Sequence, residues 1–145
     1  MDEEAYTKMA EEAIHKISKQ LPSLSMKKNT SDPVELSIDI PIQPGLKYAV
    51  NLNLKNRDEL HFSVENFWLE WFPCTDPVKV EAYVDAVSGF LLGRYRILEY
   101  YRGKKCTKAE LQKPTPEGGW ATIGSSYHLS LSLSLRRSQK VIANA

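Results

Sequence analysis

The stretch "ELHFSVENFWLEWF", residues 59–72, decides the fold, because its hydrophobic positions change phase in the middle. Up to Val64 the hydrophobic residues fall on even positions, whereas Phe67, Leu69 and Trp71 fall on odd positions. A one-residue slip within a strand is typical of a β-bulge. The pattern therefore predicts one long strand over residues 59–72, with a bulge near Glu65–Asn66 and with Phe67, Leu69 and Trp71 facing the core.

Two strands and two helices surround this stretch in the first part of the chain. "VELSIDIPI" (34–42) and "LKYAVNLNLK" (46–55) place a hydrophobic residue at every second position, which is typical of strands with one buried face. Residues 2–21 have hydrophobic residues at helical spacing, and so does the stretch between Asp76 and Gly93. Asp76 is a favourable N-cap for the second helix, and Pro77 suits its first position.

The second part of the chain predicts strands only. Residues 94–112 indicate a β-hairpin with its turn at residues 102–104, and "WATIG" (120–124) indicates a further strand. In "YHLSLSLSLRR" (127–137), four leucines alternate with serine, which predicts a strand buried on one face.

These elements predict the α+β class. We expect a single antiparallel, twisted sheet of about six to seven strands with both helices packed on one face, in the order α-β-β-β-α-β-β-β-β. The chain length predicts a single domain over residues 1–145, with a flexible loop at 23–33 and a frayed tail at 138–145. The initial order of helix, three-strand meander and helix resembles that of type III secretion chaperones, and this resemblance is one of element order alone.

Composition narrows the class of protein. The chain is 42% hydrophobic and 26% charged, and it has no apolar run of the roughly 18 residues that a membrane-spanning helix needs. The acidic start "MDEEAYTKMAEE" lacks the apolar core of a signal peptide. Two cysteines are too few for a disulfide framework, so reduced thiols and a cytoplasmic location are expected.

Charge is distributed unevenly along the chain. Residues 1–93 contain nine Lys or Arg and fifteen Asp or Glu, a net charge of −6, whereas residues 94–145 contain ten and three, a net charge of +7. A basic second half favours an acidic partner, which could also be the acidic first half of an identical subunit.

No catalytic or phosphate-binding motif is present, and the three histidines lie on different predicted elements. Cys74 lies at the start of the second helix, where the helix dipole would lower the thiol pKa, and His61 is the one candidate base on the preceding strand. The alternative for Cys74 and Cys106 is a pair of unreactive thiols. We expect no cofactor and no metal site.

The basic hairpin is the strongest candidate for a binding surface. Its cations are interleaved with tyrosines, and Trp68 and Phe72 add two aromatic side chains on the face opposite the core. The predicted binding residues are Arg94, Arg96, Tyr100, Arg102, Lys104, Lys105, Trp68 and Phe72. A solvated hairpin that pairs with the acidic half of its own chain is the alternative. Nucleic acid is disfavoured because the net charge is only +1 and no ribonucleoprotein motif is present.

Three classes of function remain open from the sequence. The favoured one is a non-catalytic protein-binding domain, of the immunity-protein, small-chaperone or adaptor type. The second is a binder of a small molecule or lipid, with a pocket between the helices and the sheet. The third is an enzyme that uses Cys74.

Overall fold

The computed structural model describes residues 2–129 and 131–144 and confirms the α+β class. The helices are α1 (Glu3–Gln20) and α2 (Pro77–Leu91). The strands are β1 (Lys27–Lys28), β2 (Leu36–Ile40), β3 (Val50–Lys55), β4 (Glu59–Val64), β5 (Phe67–Trp71), β6 (Arg96–Arg102), β7 (Lys105–Pro114), β8 (Trp120–Tyr127) and β9 (Arg137–Ile142).

Two antiparallel sheets replace the single predicted sheet. Sheet 1 has the order β1-β2-β3-β4-β5, and sheet 2 has the order β8-β7-β6-β9. A strand offers only two edges, and those of β6 are taken by β7 and β9, so β6 has no edge left to join sheet 1. Both sheets contribute to one hydrophobic cluster, in which Ile97, Leu111 and Ile142 of sheet 2 are fully buried.

The predicted long strand is a β-hairpin, and the bulge prediction is wrong. Val64 pairs with Phe67, so β4 and β5 are joined by a turn of only two residues, Glu65 and Asn66. A two-residue turn pairs positions of opposite parity, which explains why the hydrophobic phase switches there. Glu65 has a φ of 52°, in the left-handed region that such turns require.

The hydrophobic side chains of this hairpin face the core, as the sequence predicted. Phe67 and Trp71 are buried, and Leu69 is half-buried against the same core. The Trp71 ring lies 5.5 Å from the ring of Tyr83 on α2. Edge-to-face aromatic contacts of this kind add to the stabilisation that burial provides.

Capping residues set both helix starts where the sequence places them. The Asp2 side chain accepts a hydrogen bond from the Ala5 backbone N–H at 2.9 Å, and Asp76 accepts one from the Val78 N–H at 2.9 Å. Each carboxylate satisfies a backbone donor that has no partner within the helix. Gly93 follows the C-terminal end of α2, and its φ of 77° suits glycine best.

The structure differs from the sequence prediction in three further segments. The loop predicted at residues 23–33 contains β1, which pairs with β2. Residues 137–142 form β9 against β6, and Asn144 accepts a hydrogen bond from the Lys47 N–H, so the tail predicted at 138–145 is not frayed over its described part. The strand predicted at 127–137 does not form, because β8 ends at Tyr127 and residues 128, 129 and 131–136 have no regular secondary structure.

Candidate functional site: a cationic groove at one end of sheet 2

A cavity of about 990 Å³ lies where β6, β7 and β9 meet the segment that follows β8. Its walls are mostly polar and aromatic side chains with several cations. The lining residues are Tyr100, Tyr101, Arg102, Thr107, Lys108, Glu110, His128, Leu129, Arg137, Ser138 and Gln139. The groove therefore contains two of the predicted binding residues, Tyr100 and Arg102.

Strand register brings a row of cations to the end of this sheet. Arg102 pairs with Lys105 on β7 and with Arg137 on β9, so three cations occupy neighbouring positions in the ladder. Lys104 lies in the β6–β7 turn, and the carbonyl oxygen of Arg136 accepts a hydrogen bond from the Gly103 N–H at 2.7 Å. We call Arg102, Lys104, Lys105, Arg136 and Arg137 the tip cations.

The tip cations have no carboxylate partner among the described residues. Among the described residues of 94–144, one ion pair lies within 4.0 Å, between Lys108 Nζ and Glu110 Oε2 at 3.5 Å. Like charges on neighbouring strands repel each other, which lowers stability. Four of the five tip cations are exposed, and Arg102 is half-buried, so they are accessible to an anion from outside.

Glu110, the acidic residue of the groove, is already satisfied by its neighbours. Its carboxylate accepts hydrogen bonds from the hydroxyls of Tyr100 and Thr122, and it pairs with Lys108. Burial works against ionisation, but these hydrogen bonds and the charge of Lys108 outweigh it and lower the pKa of Glu110. The carboxylate is thus held ionised by its own contacts and leaves the tip cations unpaired.

The alternative of internal neutralisation finds no support in the described residues. No Lys or Arg between 94 and 144 forms an ion pair with an acidic residue of 2–93. In the first half of the chain, the ion pair of Glu59 is with His61, two positions along the same strand. Among the described residues, the cations of the second half therefore form no ion pairs with the carboxylates of the first half.

The remaining cations predicted as binding residues lie away from the groove. Arg96 is at the other end of β6, where its guanidinium stacks 4.2 Å from the Trp120 ring centroid and its Nε donates to Gln112. Arg94 precedes this strand, at the end of α2, and is exposed. Arg94 and Arg96 lie at the opposite end of β6 from Arg102, Lys104 and Lys105, so the five cations predicted as binding residues separate into two groups along the strand.

Trp68 and Phe72 are exposed, as predicted, but they belong to a different surface. Their exposed fractions are 46% and 51%, and neither lines the groove. Trp68 lies on β5, and its backbone N–H donates to the Ser126 hydroxyl at 3.3 Å across to sheet 2. The structure therefore does not combine these two aromatic residues with the basic hairpin.

Sequence reasoning missed a row of four exposed leucines beside the tip cations. Leu129, Leu131, Leu133 and Leu135 have exposed fractions from 84% to 99%, whereas a buried face was predicted for them. The alternation of leucine and serine predicts that one face of the segment is buried. It does not show which face, and hydrophobicity alone favours the leucines. No local pattern links Arg136 and Arg137 to the hairpin, because only the pairing of β9 with β6 brings them there.

Cys74 lacks the two properties of an activated nucleophile, which are an accessible thiol and a lowered pKa. The thiol is buried, with 2% exposed, and burial together with the nearby charge of Asp58 raises its pKa. The predicted base, His61, instead contacts the Glu59 carboxylate at 3.0 Å. A cavity of about 550 Å³ lies beside Cys74 between the two helices, but neither His61 nor any other histidine lines it.

Two further classes of site receive no support from the described residues. No group of three or more His, Cys, Asp or Glu is placed to hold a metal ion in residues 2–129 and 131–144. Neither described helix is long and apolar enough to cross a membrane.

Comparisons with protein-family models, with curated proteins and with solved structures found no match, so the proposals below rest on the residues themselves.

Proposed function

We propose that this protein is a non-catalytic protein-binding domain, of the immunity-protein, small-chaperone or adaptor type, and that it binds an acidic segment of a partner protein in the groove of sheet 2. One observation carries the proposal. The five tip cations lie together at the end of a sheet without a carboxylate partner among the described residues.

Electrostatics explains why such an arrangement favours binding. Three cations on adjacent strands repel one another, and an acidic segment laid across them would relieve that repulsion in the bound state. Exposed charges attract an oppositely charged partner from a distance and accelerate the encounter. Salt screens this attraction over about 8–10 Å, so the affinity should fall as ionic strength rises.

The groove suits a carboxylate-rich peptide better than a single-stranded nucleic acid. Binding of bases depends on aromatic rings with open faces. Lys108 Nζ instead lies 5.3 Å from the centroid of the Tyr100 ring, and the hydroxyls of Tyr100 and Tyr101 donate to Glu110 and Glu99. These tyrosines are engaged within the protein, whereas the tip cations remain accessible.

The test measures binding of a fluorescent polyglutamate peptide of about a dozen residues by anisotropy. Charge reversal at two tip cations, Arg102→Glu with Arg137→Glu, should weaken binding about tenfold or more. The matched control, Lys47→Glu with Lys79→Glu, makes the same change in net charge at exposed positions outside the groove and should have a much smaller effect.

Three results would contradict the proposal. The first is equal loss of affinity in the reversed protein and in the control, which would show that only net charge matters. The second is tighter binding of oligothymidylate than of polyglutamate through the same residues, which would indicate a nucleic-acid site. The third is a dimer in sedimentation equilibrium that the reversal dissociates and salt weakens, which would make the acidic half of an identical subunit the partner.

A further inference from the structure

Four exposed leucines recur at every second position of one segment, and we call them the leucine row: Leu129, Leu131, Leu133 and Leu135. Ser132 and Ser134 are half-buried, so over residues 131–135 exposed leucines alternate with half-buried serines. Ser134 packs closely on the hairpin turn at Gly103. A side chain larger than hydrogen at Gly103 would not fit, since its Cβ would lie only 2.9 Å from the Cβ of Ser134. The serines thus hold the segment against the protein while the leucines face solvent.

Hydrogen bonds fix both ends of this segment to the cationic end of sheet 2. At one end the His128 N–H donates to the Thr107 carbonyl oxygen at 2.9 Å, and at the other the Arg136 carbonyl oxygen accepts from the Gly103 N–H at 2.7 Å. Leu129 also lines the groove itself. The leucine row and the tip cations are therefore parts of one surface.

We propose that this surface binds an extended segment of a partner protein in which alternating leucine-sized side chains are followed by a cluster of carboxylates. The inference rests on the proposed function and specifies the chemistry of the partner. The apolar residues of the segment would pack on the leucine row, and its carboxylates would bind the tip cations.

The spacing of the leucines supports an extended partner. In an extended chain, side chains two positions apart lie on the same side and are about 6.6–6.8 Å apart. A second extended chain presents its own alternate side chains at that spacing. In strand-type peptide recognition, contacts to these alternate side chains provide the specificity. Within the described residues no strand of the protein pairs with this segment.

Charge decides between this partner and two other occupants of the leucine row. A second copy placed on the row would bring its own five tip cations close to the first set, so repulsion opposes a symmetric dimer there. Surface binding to anionic lipid typically uses an amphipathic helix with aromatic residues on its apolar face. The row is neither helical nor aromatic, whereas an acidic, apolar segment complements both of its properties.

The experiment compares two probe peptides of equal charge. One has three leucines alternating with serine, followed by four acidic residues, and the other has glycine in place of each leucine. Wild-type protein should bind the leucine probe about tenfold or more tightly than the glycine probe. Leu131→Ser with Leu133→Ser should abolish this preference and leave the affinity for the glycine probe unchanged.

The control replaces two exposed apolar side chains elsewhere, Ile42→Ser with Val78→Ser, and should keep the preference for the leucine probe. Equal affinity of wild type for both probes would overturn the inference while leaving the acidic-segment proposal intact. Failure of wild type to bind either probe would overturn both.

Two further measurements separate the competing occupants. Sedimentation of the wild type and of the Leu131→Ser, Leu133→Ser protein should show the same monomeric mass, and a leucine-dependent dimer would assign the row to a second copy. Flotation with phosphatidylserine vesicles should leave the protein unbound. Binding to vesicles that requires both the leucines and Arg102 and Arg137 would instead assign the surface to a membrane.

Discussion

Burial controls the reactivity of the two cysteines. Both are free thiols, in agreement with the sequence prediction, and burial raises the pKa of Cys74 and of Cys106. Since the thiolate is the reactive species, a raised pKa and low exposure both slow reaction with thiol reagents.

We therefore expect Cys74, which is 2% exposed, to react with Ellman's reagent much more slowly than it does in the urea-unfolded protein. The half-buried Cys106 should react sooner than Cys74, because a larger part of its surface is accessible. Rapid modification of Cys74 in the folded protein, mapped by mass spectrometry, would contradict the burial described here.

Glu110 should make stability depend on pH in the acidic range. Its pKa is lowered in the folded protein from an ordinary value of 4.5, so its contribution is complete above that value and is lost as pH falls through the folded pKa. Glu110→Gln should reduce the free energy of unfolding by about 1–3 kcal/mol at neutral pH. In urea denaturation this difference should shrink toward pH 3, and a difference that grew on acidification would show the sign to be wrong.

At the scale of elements, the β4–β5 hairpin shows how much a local pattern can establish. The phase switch after Val64 located the change correctly to Glu65–Asn66, and the core face of Phe67 and Trp71 followed from it. A bulge and a two-residue turn produce the same parity change in the sequence. Only the direction of the chain after the turn separates them, and that direction depends on tertiary contacts.

Substitution at Glu65 distinguishes the turn from a continuous strand. Because Glu65 has a φ of 52°, Glu65→Gly should leave stability unchanged or raise it by about 1 kcal/mol. Glu65→Val should lower it, since a β-branched residue is strained in the left-handed region. In a continuous strand the order would be reversed, with glycine destabilising and valine neutral, and thermal denaturation of the two variants resolves the question.

The alternating leucines and β9 show where periodicity misleads. A period of two in residues 129–135 predicts a strand with a buried leucine face, yet those leucines are exposed. In β9 only Ile142 is buried, so its sequence gives almost no strand signal. The strand forms because its backbone completes the free edge of β6, a long-range contact that local composition does not encode.

At the scale of the whole molecule, one buried carboxylate links the two sheets. Glu99 is 1% exposed; its Oε2 accepts a hydrogen bond from the Asn66 N–H at 3.0 Å, and its Oε1 accepts one from the Tyr101 hydroxyl at 2.7 Å. Asn66 belongs to the β4–β5 turn of sheet 1, whereas Glu99 lies on β6 of sheet 2. The sequence predicts a single sheet, so it does not indicate that Glu99 connects two sheets.

Removal of this carboxylate should destabilise the fold strongly. Glu99→Ala leaves the Asn66 N–H and the Tyr101 hydroxyl without their acceptor, at a cost of about 1–3 kcal/mol for each group. The control Glu117→Ala, at an exposed loop position, should have little effect. Chemical denaturation compares the two, and equal stabilities would show that the sheets are held together without Glu99.

Glu99 also gives an optical readout of the same contact. Burial and the hydrogen bond to Glu99 raise the pKa of Tyr101 to about 12. In Glu99→Gln the negative charge is gone, so the pKa of Tyr101 should fall. Alkaline titration followed at the tyrosinate absorbance, with Tyr101→Phe as the reference that lacks this group, measures the change. An unaltered titration curve would contradict the contact.

Most of the elements could be predicted from the sequence, because capping residues and hydrophobic periodicity act locally. The candidate site could be predicted only in part. Arg102, Lys104 and Lys105 were found from their positions in the hairpin, whereas Arg136 and Arg137 join them only through the pairing of β9 with β6. The separation of Arg96 from the tip likewise follows from strand geometry, because six residues of extended chain span about 20 Å.

The most direct test of the binding surface is to map where the acidic leucine probe contacts the protein by amide chemical shifts in nuclear magnetic resonance. We expect the largest shifts at residues 100–108 and 128–139, which carry the tip cations and the leucine row, and negligible shifts in α1 and β2. Shifts centred instead on Trp68 and Phe72, or on the cavity beside Cys74, would place the binding surface elsewhere and contradict the central claim.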